Sequence, residues 1–453
     1  MSDGGDGLLD ALEAIVGARH VLADRDLRAP FEHDWTGRFG ASARCIVRPS
    51  STDEVIRILA ACRANGASVV PQGGNTGLVG GGVPRGGEVV LSMSRLDEIG
   101  EVDEAAAQVT AGAGATLAAL QARARASGLD AGVDFAARDS ATVGGLVATD
   151  AGGARAVRHG TVRARVAGLE AILADGSVVD RMAGLLKDNA GYALPALLIG
   201  SEGTLGVITR VRWRLVPRLE ARLAALVPLE SIEAAAELLG VLRRELPTLE
   251  AADFFLDGGL SLVLDHQHMA APAFERSPVY VMLECAARND PTEELAAALE
   301  KAGVHDAVVA DDTASRERLW RLREGLPEAV AARGVPHKLD VGLPLDRLAD
   351  FVGRVPSLVA DHEPEAQTVL WGHLGDGNVH VNVLGLDREN EAVDGAILRL
   401  AAEHGGTISA EHGVGVAKAQ WLGLVRGPGE LAAMAAIKQA LDPEGVLNPG
   451  VIL

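Results

Sequence analysis

The sequence has little cysteine, few aromatic residues and fewer basic than acidic side chains. Only three of the 453 residues are cysteine. They form no CxxC pair, so the sequence predicts neither a disulfide framework nor a thiolate zinc site. Aromatic residues make up 3%, which argues against a surface of stacking rings for bases or sugars. The net charge of −20 repels nucleic acids and anionic membranes, so an anionic ligand would need locally placed Arg or Lys.

Long apolar runs and a basic N-terminal region are also missing. No apolar run approaches the roughly 20 residues that a membrane-spanning helix needs. The segment MSDGGDGLLDALEAIVG carries acidic residues before its apolar part, unlike a signal peptide. We therefore expect a soluble cytoplasmic protein. Hydrophobic residues make up 48%, which allows a large core. At about 150 residues per domain, the length suggests two or three domains.

The glycine content and the pattern of predicted helices and strands change near residues 217–220. Before that point, short strands alternate with helices, for example a strand at 45–49 followed by a helix that Ser51 caps. After it, glycine becomes rarer and longer helices accompany strands such as 278–287 and 368–385. This pattern is typical of an α/β or α+β protein with a domain boundary near this point.

Glycine is concentrated in four segments, at 71–84, 140–153, 198–208 and 441–450. Glycine lets backbone N–H groups approach an anion closely, and a pyrophosphate is the natural ligand. The first segment contains neither GxGxxG nor a Walker lysine, so a Rossmann site or P-loop is not supported.

Histidine and carboxylate residues cluster in the last hundred residues. In the segment GHLGDGNVHVNV, period 2 places His380 and Asn382 on one face of a strand, and the glycine turn can fold His373 towards them. Glu411 and His412 follow a strand-like TIS sequence. Two imidazoles and a carboxylate form a metal-ligand set that leaves a position open for substrate.

Six segments together resemble a known flavoprotein family. They are PQGGNTGLVGG, GGLVATDAGG, GLEAILADGS, KDNAGYALPALLIGSEGTLG, GHLGDGNVHVNV and EHGVGVAK. They are similar to the vanillyl-alcohol-oxidase type, and within it to FAD-linked D-2-hydroxyacid dehydrogenases, whose members act on D-2-hydroxyglutarate, D-lactate or glycolate. The resemblance runs from about residue 34 to 449.

The resemblance implies an α+β fold with a two-subdomain FAD-binding module and an α+β substrate (cap) domain that has an antiparallel sheet. The corresponding divisions are a lead segment at 1–40, the FAD-binding domain at 41–217, the substrate domain with a metal site at 218–420, and a C-terminal segment at 421–453 that returns to the flavin.

The resemblance also implies the residues that contact a non-covalent FAD. They are Gln72, Gly73, Gly74, Asn75, Thr76, Gly77, Gly80, Gly81, Ser140, Thr142, Gly145, Thr149, Gly152, Glu202, Gly206, Ile208 and, near the flavin ring, Asn448. Asp150 stands where the family usually has Asn. We expect Arg155 or Arg158 to balance its charge. His159 is expected to be structural rather than a covalent flavin link.

In the substrate domain, the resemblance makes His373, His380 and Glu411 ligands of a divalent metal, usually zinc. It makes His412 the catalytic base. The implied substrate contacts are Arg323, Lys338 and Asn382. Arg321 is expected on a solvated helix face. Pro327 stands where some D-2-hydroxyglutarate enzymes have Thr, which removes a hydroxyl donor.

The sequence therefore predicts metal-assisted, FAD-dependent oxidation of a D-2-hydroxyacid to the 2-oxoacid, with D-2-hydroxyglutarate favoured over D-lactate or glycolate. Hydride would pass from C2 to flavin N5. Without an NAD fingerprint or iron–sulfur cysteines, the electrons would leave to an electron-transfer flavoprotein or a quinone. A homodimer is compatible with this interpretation. Two alternatives stay open: a non-catalytic FAD subunit of a larger complex, and a metal-dependent hydrolase or lyase without redox chemistry.

Overall fold

A computed structural model describes residues 6–453. Its α-helices are α1 Asp6–Val16, α2 Arg25–Glu32, α3 Thr52–Ala64, α4 Leu117–Arg125, α5 Val143–Thr149, α6 Ala156–His159, α7 Val162–Arg165, α8 Leu194–Leu198, α9 Ile232–Glu245, α10 Asp257–Gln267, α11 Thr292–Lys301, α12 Thr313–Glu324, α13 Leu326–Ala331, α14 Leu348–His362, α15 Ala392–Glu403 and α16 Pro428–Leu441.

The strands are β1 Val21–Leu22, β2 Cys45–Val47, β3 Val69–Gln72, β4 Val89–Ser92, β5 Gln108–Gly112, β6 Leu129–Asp130, β7 Val166–Ile172, β8 Val178–Asp180, β9 Val207–Arg214, β10 Val216–Pro217, β11 Ala221–Leu229, β12 Leu249–Leu256, β13 Val279–Ala287, β14 Val308–Ala310, β15 His337–Gly342, β16 Gln367–His373 and β17 Asn378–Leu384.

The first compact unit comprises the chain up to Ala151, Thr161–Arg218 and Glu411–Leu453. One of its sheets has the order β1-β2-β4-β3, with β4 parallel to both β2 and β3. A second, antiparallel sheet has the order β5-β9-β7-β8. The C-terminal segment adds a parallel bridge from Leu447 to Val69, so the end of the chain lies beside the strand that leads into the first glycine loop.

The second unit comprises Gly152–Gly160 and Leu219–Ala410. Its antiparallel sheet has the order β14-β11-β13-β12-β16-β17-β15. Phe255, Tyr280 and Trp371 are buried in a core cluster that also includes residues of α12 and α13. The neighbouring strands β16 and β17 of this sheet carry His373 and His380.

Local signals in the sequence agree with several elements. Ser51 caps α3, since its hydroxyl accepts from the Glu54 N–H at 3.2 Å, as predicted. The predicted strand at 368–385 is a hairpin of β16 and β17. The prediction of a strand at 407–409 is wrong, because Thr407 forms a single bridge to Gly342 and the chain then turns away.

The chain passes from one compact unit to the other at 218/219 and 410/411, whereas the predicted domain boundaries are at 217/218 and 420/421. In addition, residues 152–160 leave the first unit and pack with the second. Within 6–453, no helix has the length and hydropathy needed to cross a bilayer.

Candidate active site

The first glycine loop is held closed at its base by Gln72, at the end of β3. The Gln72 amide Nε2 donates to the carbonyls of Phe31 and Gly82 at 2.9 and 2.7 Å. Asn75 has a φ of 52° and donates from its side chain to the His33 carbonyl at 2.7 Å. The loop therefore has a defined backbone path, which a phosphate-binding turn requires.

This loop lies directly against the second glycine-rich segment. A Cβ added to Gly74 would lie 1.8 Å from the Ser140 carbonyl oxygen, and one added to Gly73 would lie 2.3 Å from Thr142 Oγ1. A Cβ added to Gly145 would lie 3.3 Å from the same hydroxyl oxygen. Only glycine allows this approach.

Thr142 provides a test of the cofactor assignment. Its Oγ1 is buried, and no hydrogen-bond partner for it is found among the described residues. A buried hydroxyl without a partner costs free energy, about 1–3 kcal/mol. A phosphate oxygen is an acceptor that this hydroxyl lacks, so the residues present fit the pyrophosphate of FAD.

Three more predicted cofactor residues meet at the C-terminal segment. Asn448 Nδ2 donates to the carbonyls of Gly81 and Glu202 at 2.8 and 2.7 Å. Arg85 donates to Asn448 Oδ1 at 3.0 Å. Asn448 is therefore held on both sides of its amide, close to two of the glycine segments.

The other predicted cofactor residues lie on several different elements. Thr149 Oγ1 donates to the Gly145 carbonyl within α5. Gly206 packs against Leu198. The remaining positions are the loop residues Thr76 and Gly77, Gly80 against Phe39, Ile208 within β9, and Gly152 at the start of the second unit's first segment.

The charge of Asp150 is balanced by a residue that we did not expect. Arg163 donates to Asp150 through Nε at 2.8 Å and through its backbone N–H at 2.9 Å. The expected partners are wrong, because Arg155 and Arg158 pair with the buried carboxylate of Glu250. Asp150 occupies the left-handed C-cap of α5, which Asn and Asp tolerate best.

His373 and His380 of the second unit come together, as the glycine turn between them predicts. His373 ends β16 and His380 lies in β17, and their ring centroids are 5.2 Å apart at an interplanar angle of 86°. Both side chains are almost completely buried.

Each histidine faces an aspartate on a neighbouring strand. Asp253 of β12 is the register partner of His373, and its Oδ1 lies 2.7 Å from Nδ1 of that ring. Asp340 of β15 is the register partner of His380, with 3.5 Å from Oδ1 to Nδ1. A carboxylate at Nδ1 directs Nε2 towards a metal and raises its basicity. Two imidazoles held in this way fit a divalent metal ion.

Sequence reasoning missed both aspartates. Asp253 lies in the otherwise mostly apolar strand LEAADFFL and is completely buried. The strand carries two buried carboxylates, Glu250 and Asp253, and a buried carboxylate is a signal that a charged partner lies nearby.

Arg323 is buried on α12 and contacts the same aspartate as His373 does. Its Nε lies 2.9 Å from Asp253 Oδ2. Burial alone would raise the pKa of Asp253, but the charges of His373 and Arg323 outweigh it, so the pKa of Asp253 is below its ordinary value. Arg321, on the same helix, is exposed as predicted.

Lys338 and Asn382 are register partners on β15 and β17. Burial lowers the pKa of the Lys338 ammonium to about 8. Asn382 is buried and donates to the Val369 carbonyl at 3.3 Å. With a pKa of about 8, the ammonium is still mostly charged at pH 7 and can bind an anion beside β17, the strand of His380.

Glu411 and His412 follow immediately after a residue that is fixed in the second unit. The Ala410 N–H donates to Asp340 Oδ2 at 3.0 Å. His412 Nε2 lies 3.7 Å from Glu411 Oε1. Glu411 and His412 are thus the first and second residues after Ala410, the residue that binds Asp340.

Two family models match the chain. FAD linked oxidases, C-terminal domain, matches residues 218–452, and FAD binding domain matches 43–181. D-2-hydroxyglutarate dehydrogenase of Xanthomonas citri pv. viticola is 38% identical, with 98% of this chain and 96% of the relative covered. The chain belongs to the FAD-linked D-2-hydroxyacid dehydrogenase family. The mitochondrial enzyme of that name from Bos taurus is 37% identical, with 97% and 82% covered. The predicted family is confirmed.

Solved structures show the same fold. A p-cresol methylhydroxylase has a TM-score of 0.80 at 16% identity, with 99% of this chain and 97% of that chain covered. A 4-ethylphenol oxidase from Gulosibacter chungangensis has a TM-score of 0.78 at 18% identity, with 99% and 97% covered. The predicted α+β fold of this FAD-linked family is confirmed.

Proposed function

We propose that this protein is an FAD-dependent dehydrogenase that oxidises D-2-hydroxyglutarate to the 2-oxoacid. The relatives at 37–38% identity that cover nearly the whole chain carry that name. The observation that carries the proposal is the shared carboxylate of Asp253, which contacts both Arg323 and His373. One carboxylate thus contacts both the cation proposed to bind the substrate carboxylate and an imidazole proposed to bind the metal.

A buried cation, Arg323, and a partly buried one, Lys338, suit a dianionic substrate in a protein of net charge −20. Arg323 offers a planar fork that grips a carboxylate through two hydrogen bonds. Lys338 offers a second, compact charge. Asn382, beside Lys338 in the sheet, is the third proposed contact. These residues orient the anion so that its C2–H bond faces the oxidant.

His373, His380 and Glu411 are the proposed ligands of a divalent metal, with zinc as the first candidate. Such an ion would lower the pKa of the substrate α-hydroxyl. Asp253 and Asp340 keep the two imidazoles in the correct tautomer and orientation. His412 takes the hydroxyl proton as the general base, the role that histidine fills most often in enzymes.

FAD, when bound, supplies hydride acceptance at flavin N5. The proposed non-covalent contacts come from the loop Gln72–Gly81, Ser140–Thr149 and Asn448, as implied by the family, and Thr142 supplies the hydroxyl that lacks a partner. An electron-transfer flavoprotein or a quinone is the proposed electron acceptor, and the cytoplasm the proposed location. Several relatives, among them those of Arabidopsis thaliana and Bos taurus, are named as mitochondrial. A homodimer is the proposed assembly.

Anaerobic mixing of the purified protein with a panel of D-2-hydroxyacids tests the proposal. We expect D-2-hydroxyglutarate to bleach the flavin faster than D-lactate or glycolate does, and the L-enantiomer to leave the spectrum unchanged. A yellow protein that no hydroxyacid bleaches would support a non-catalytic FAD subunit. A colourless protein that is active without flavin would support the hydrolase or lyase alternative.

A further inference from the structure

Glu202 lies where several glycine-rich motifs of the first unit meet. It has a φ of 51°, its N–H donates to the Ala148 carbonyl at 2.8 Å, and its carbonyl accepts from Asn448. These contacts fix the backbone on both sides of the residue. The fold therefore sets the direction in which the carboxylate points.

The carboxylate of Glu202 binds the loop that follows the proposed base. Oε1 accepts from the Val414 N–H at 2.7 Å, and Oε2 accepts from the Gly415 N–H at 2.8 Å. These residues come two and three positions after His412. Hydrogen bonds to a charged acceptor are stronger than those between neutral groups, so this turn is firmly held.

Two glycines provide the space for this carboxylate. A Cβ added to Gly413, whose φ is 86°, would lie 2.8 Å from Glu202 Cδ, and one added to Gly81 would lie 3.0 Å from Oε2. Burial raises the pKa of the Glu202 carboxyl, while the N–H groups of Val414 and Gly415 and the charge of the buried Lys418 oppose that rise and favour the carboxylate. The carboxylate has no room to move without displacing one of these segments.

We propose that Glu202 is a positioning residue that holds the 413–415 turn and thereby keeps His412 in place for proton transfer. The inference rests on the proposed function. It gives Glu202 a role different from the direct FAD contact that the family resemblance implies. If Glu202 is a positioning residue, removal of its charge should affect the 413–415 turn and kcat. If it contacts FAD directly, removal should affect FAD binding.

The first test is Glu202→Gln in the full-length protein reconstituted with FAD. An amide has one acceptor oxygen, so one of the two N–H groups loses its partner. Loss of one hydrogen bond to a charged group should loosen the turn and misplace His412, so we expect kcat to fall about tenfold or more. We expect KM for the hydroxyacid and the FAD content to stay within about twofold of wild type. Amide hydrogen exchange in residues 413–418 should become faster.

Two further variants complete the test. Glu32 is a buried carboxylate that accepts from the Ala43 N–H at 2.9 Å, so Glu32→Gln is a matched control that should change neither kcat nor exchange at 413–418. Gly413→Ala should displace the Glu202 carboxylate and reproduce the Glu202→Gln pattern. The double variant should be little worse than either single one, because both act on one contact.

Loss of FAD from Glu202→Gln would show that the carboxylate serves the cofactor, and would overturn the inference. So would an unchanged kcat, with or without faster exchange at 413–418. If Glu202→Gln does not fold, Gly413→Ala decides by the same measurements. The exchange measurement does not depend on the substrate, so a wild-type protein that oxidises no D-2-hydroxyacid would refute the proposed function separately.

Discussion

The carboxylate oxygen Oδ1 of Asp253 lies 2.7 Å from Nδ1 of His373, directly across two neighbouring strands. The two residues are 120 positions apart in the chain. Because Oδ2 of the same carboxylate contacts Arg323, one buried aspartate supports both the proposed metal ligand and the proposed carboxylate-binding cation.

Asp253→Asn should weaken metal binding by about 10- to 100-fold, the usual effect of losing a carboxylate behind a metal-binding histidine. It should also raise KM, since a neutral amide no longer pairs with the charge of Arg323 and holds it in place. Metal titration and steady-state kinetics measure the two effects. Asp346→Asn, on a largely exposed side chain, is the control. Normal metal affinity in Asp253→Asn would show that His373 is not a ligand.

Arg323→Ala should lower kcat/KM at least about tenfold, because a hydrogen bond to a charged group contributes about 1.5–3 kcal/mol. Arg323→Lys should recover only part of the activity, since the bidentate fork is lost. Arg321→Ala, on the exposed face of the same helix, should change little. Near-normal kcat/KM of Arg323→Ala on every substrate of the wild type would disprove the assignment of this arginine.

Lys338 predicts a pH dependence of substrate binding. Its pKa is lowered by burial to about 8, so the ammonium is charged below that pH and loses its proton as the pH rises through it. KM for the anionic substrate should therefore rise above about pH 8. In Lys338→Arg the charge persists, and that rise should disappear. A wild-type KM that stays flat from pH 7 to about 10 would argue against contact between Lys338 and substrate.

Removal of the metal by a chelator should abolish turnover while FAD stays bound, because the proposed metal ligands and cofactor contacts are on different segments. His380→Ala should have the same effect, since it leaves two of the three proposed ligands. Turnover and flavin absorbance report the two outcomes separately, and added zinc should restore the wild type only. Full activity in a verified metal-free sample would remove the metal from the mechanism.

FAD should be released by acid precipitation and colour the supernatant. The ring of His159, the residue considered for covalent attachment, is 4.0 Å from the buried Glu250 carboxylate within the second unit, which agrees with a structural role. Colour that stays in the pellet would indicate a covalent link, and His159→Ala would then identify the residue involved.

Much of the candidate site follows from patterns that are local in the sequence. Period 2 in a β-strand places His380 and Asn382 on one face, and a glycine turn brings His373 back towards them. Closely spaced glycines predicted loops at 71–84 and 140–153 whose backbone can approach an anion closely. Such features depend on backbone geometry over a few residues, so they are visible before the chain folds.

Only the tertiary structure decided which distant groups neutralise and support these residues. The pairing of β12 with β16 selected Asp253 as the partner of His373, and packing around α5 selected Arg163 rather than Arg155 for Asp150. Strand order and side-chain pairing depend on how the whole chain buries its apolar surface. A buried charge then takes whichever opposite charge that packing brings within reach, and residue spacing along the chain does not encode this choice.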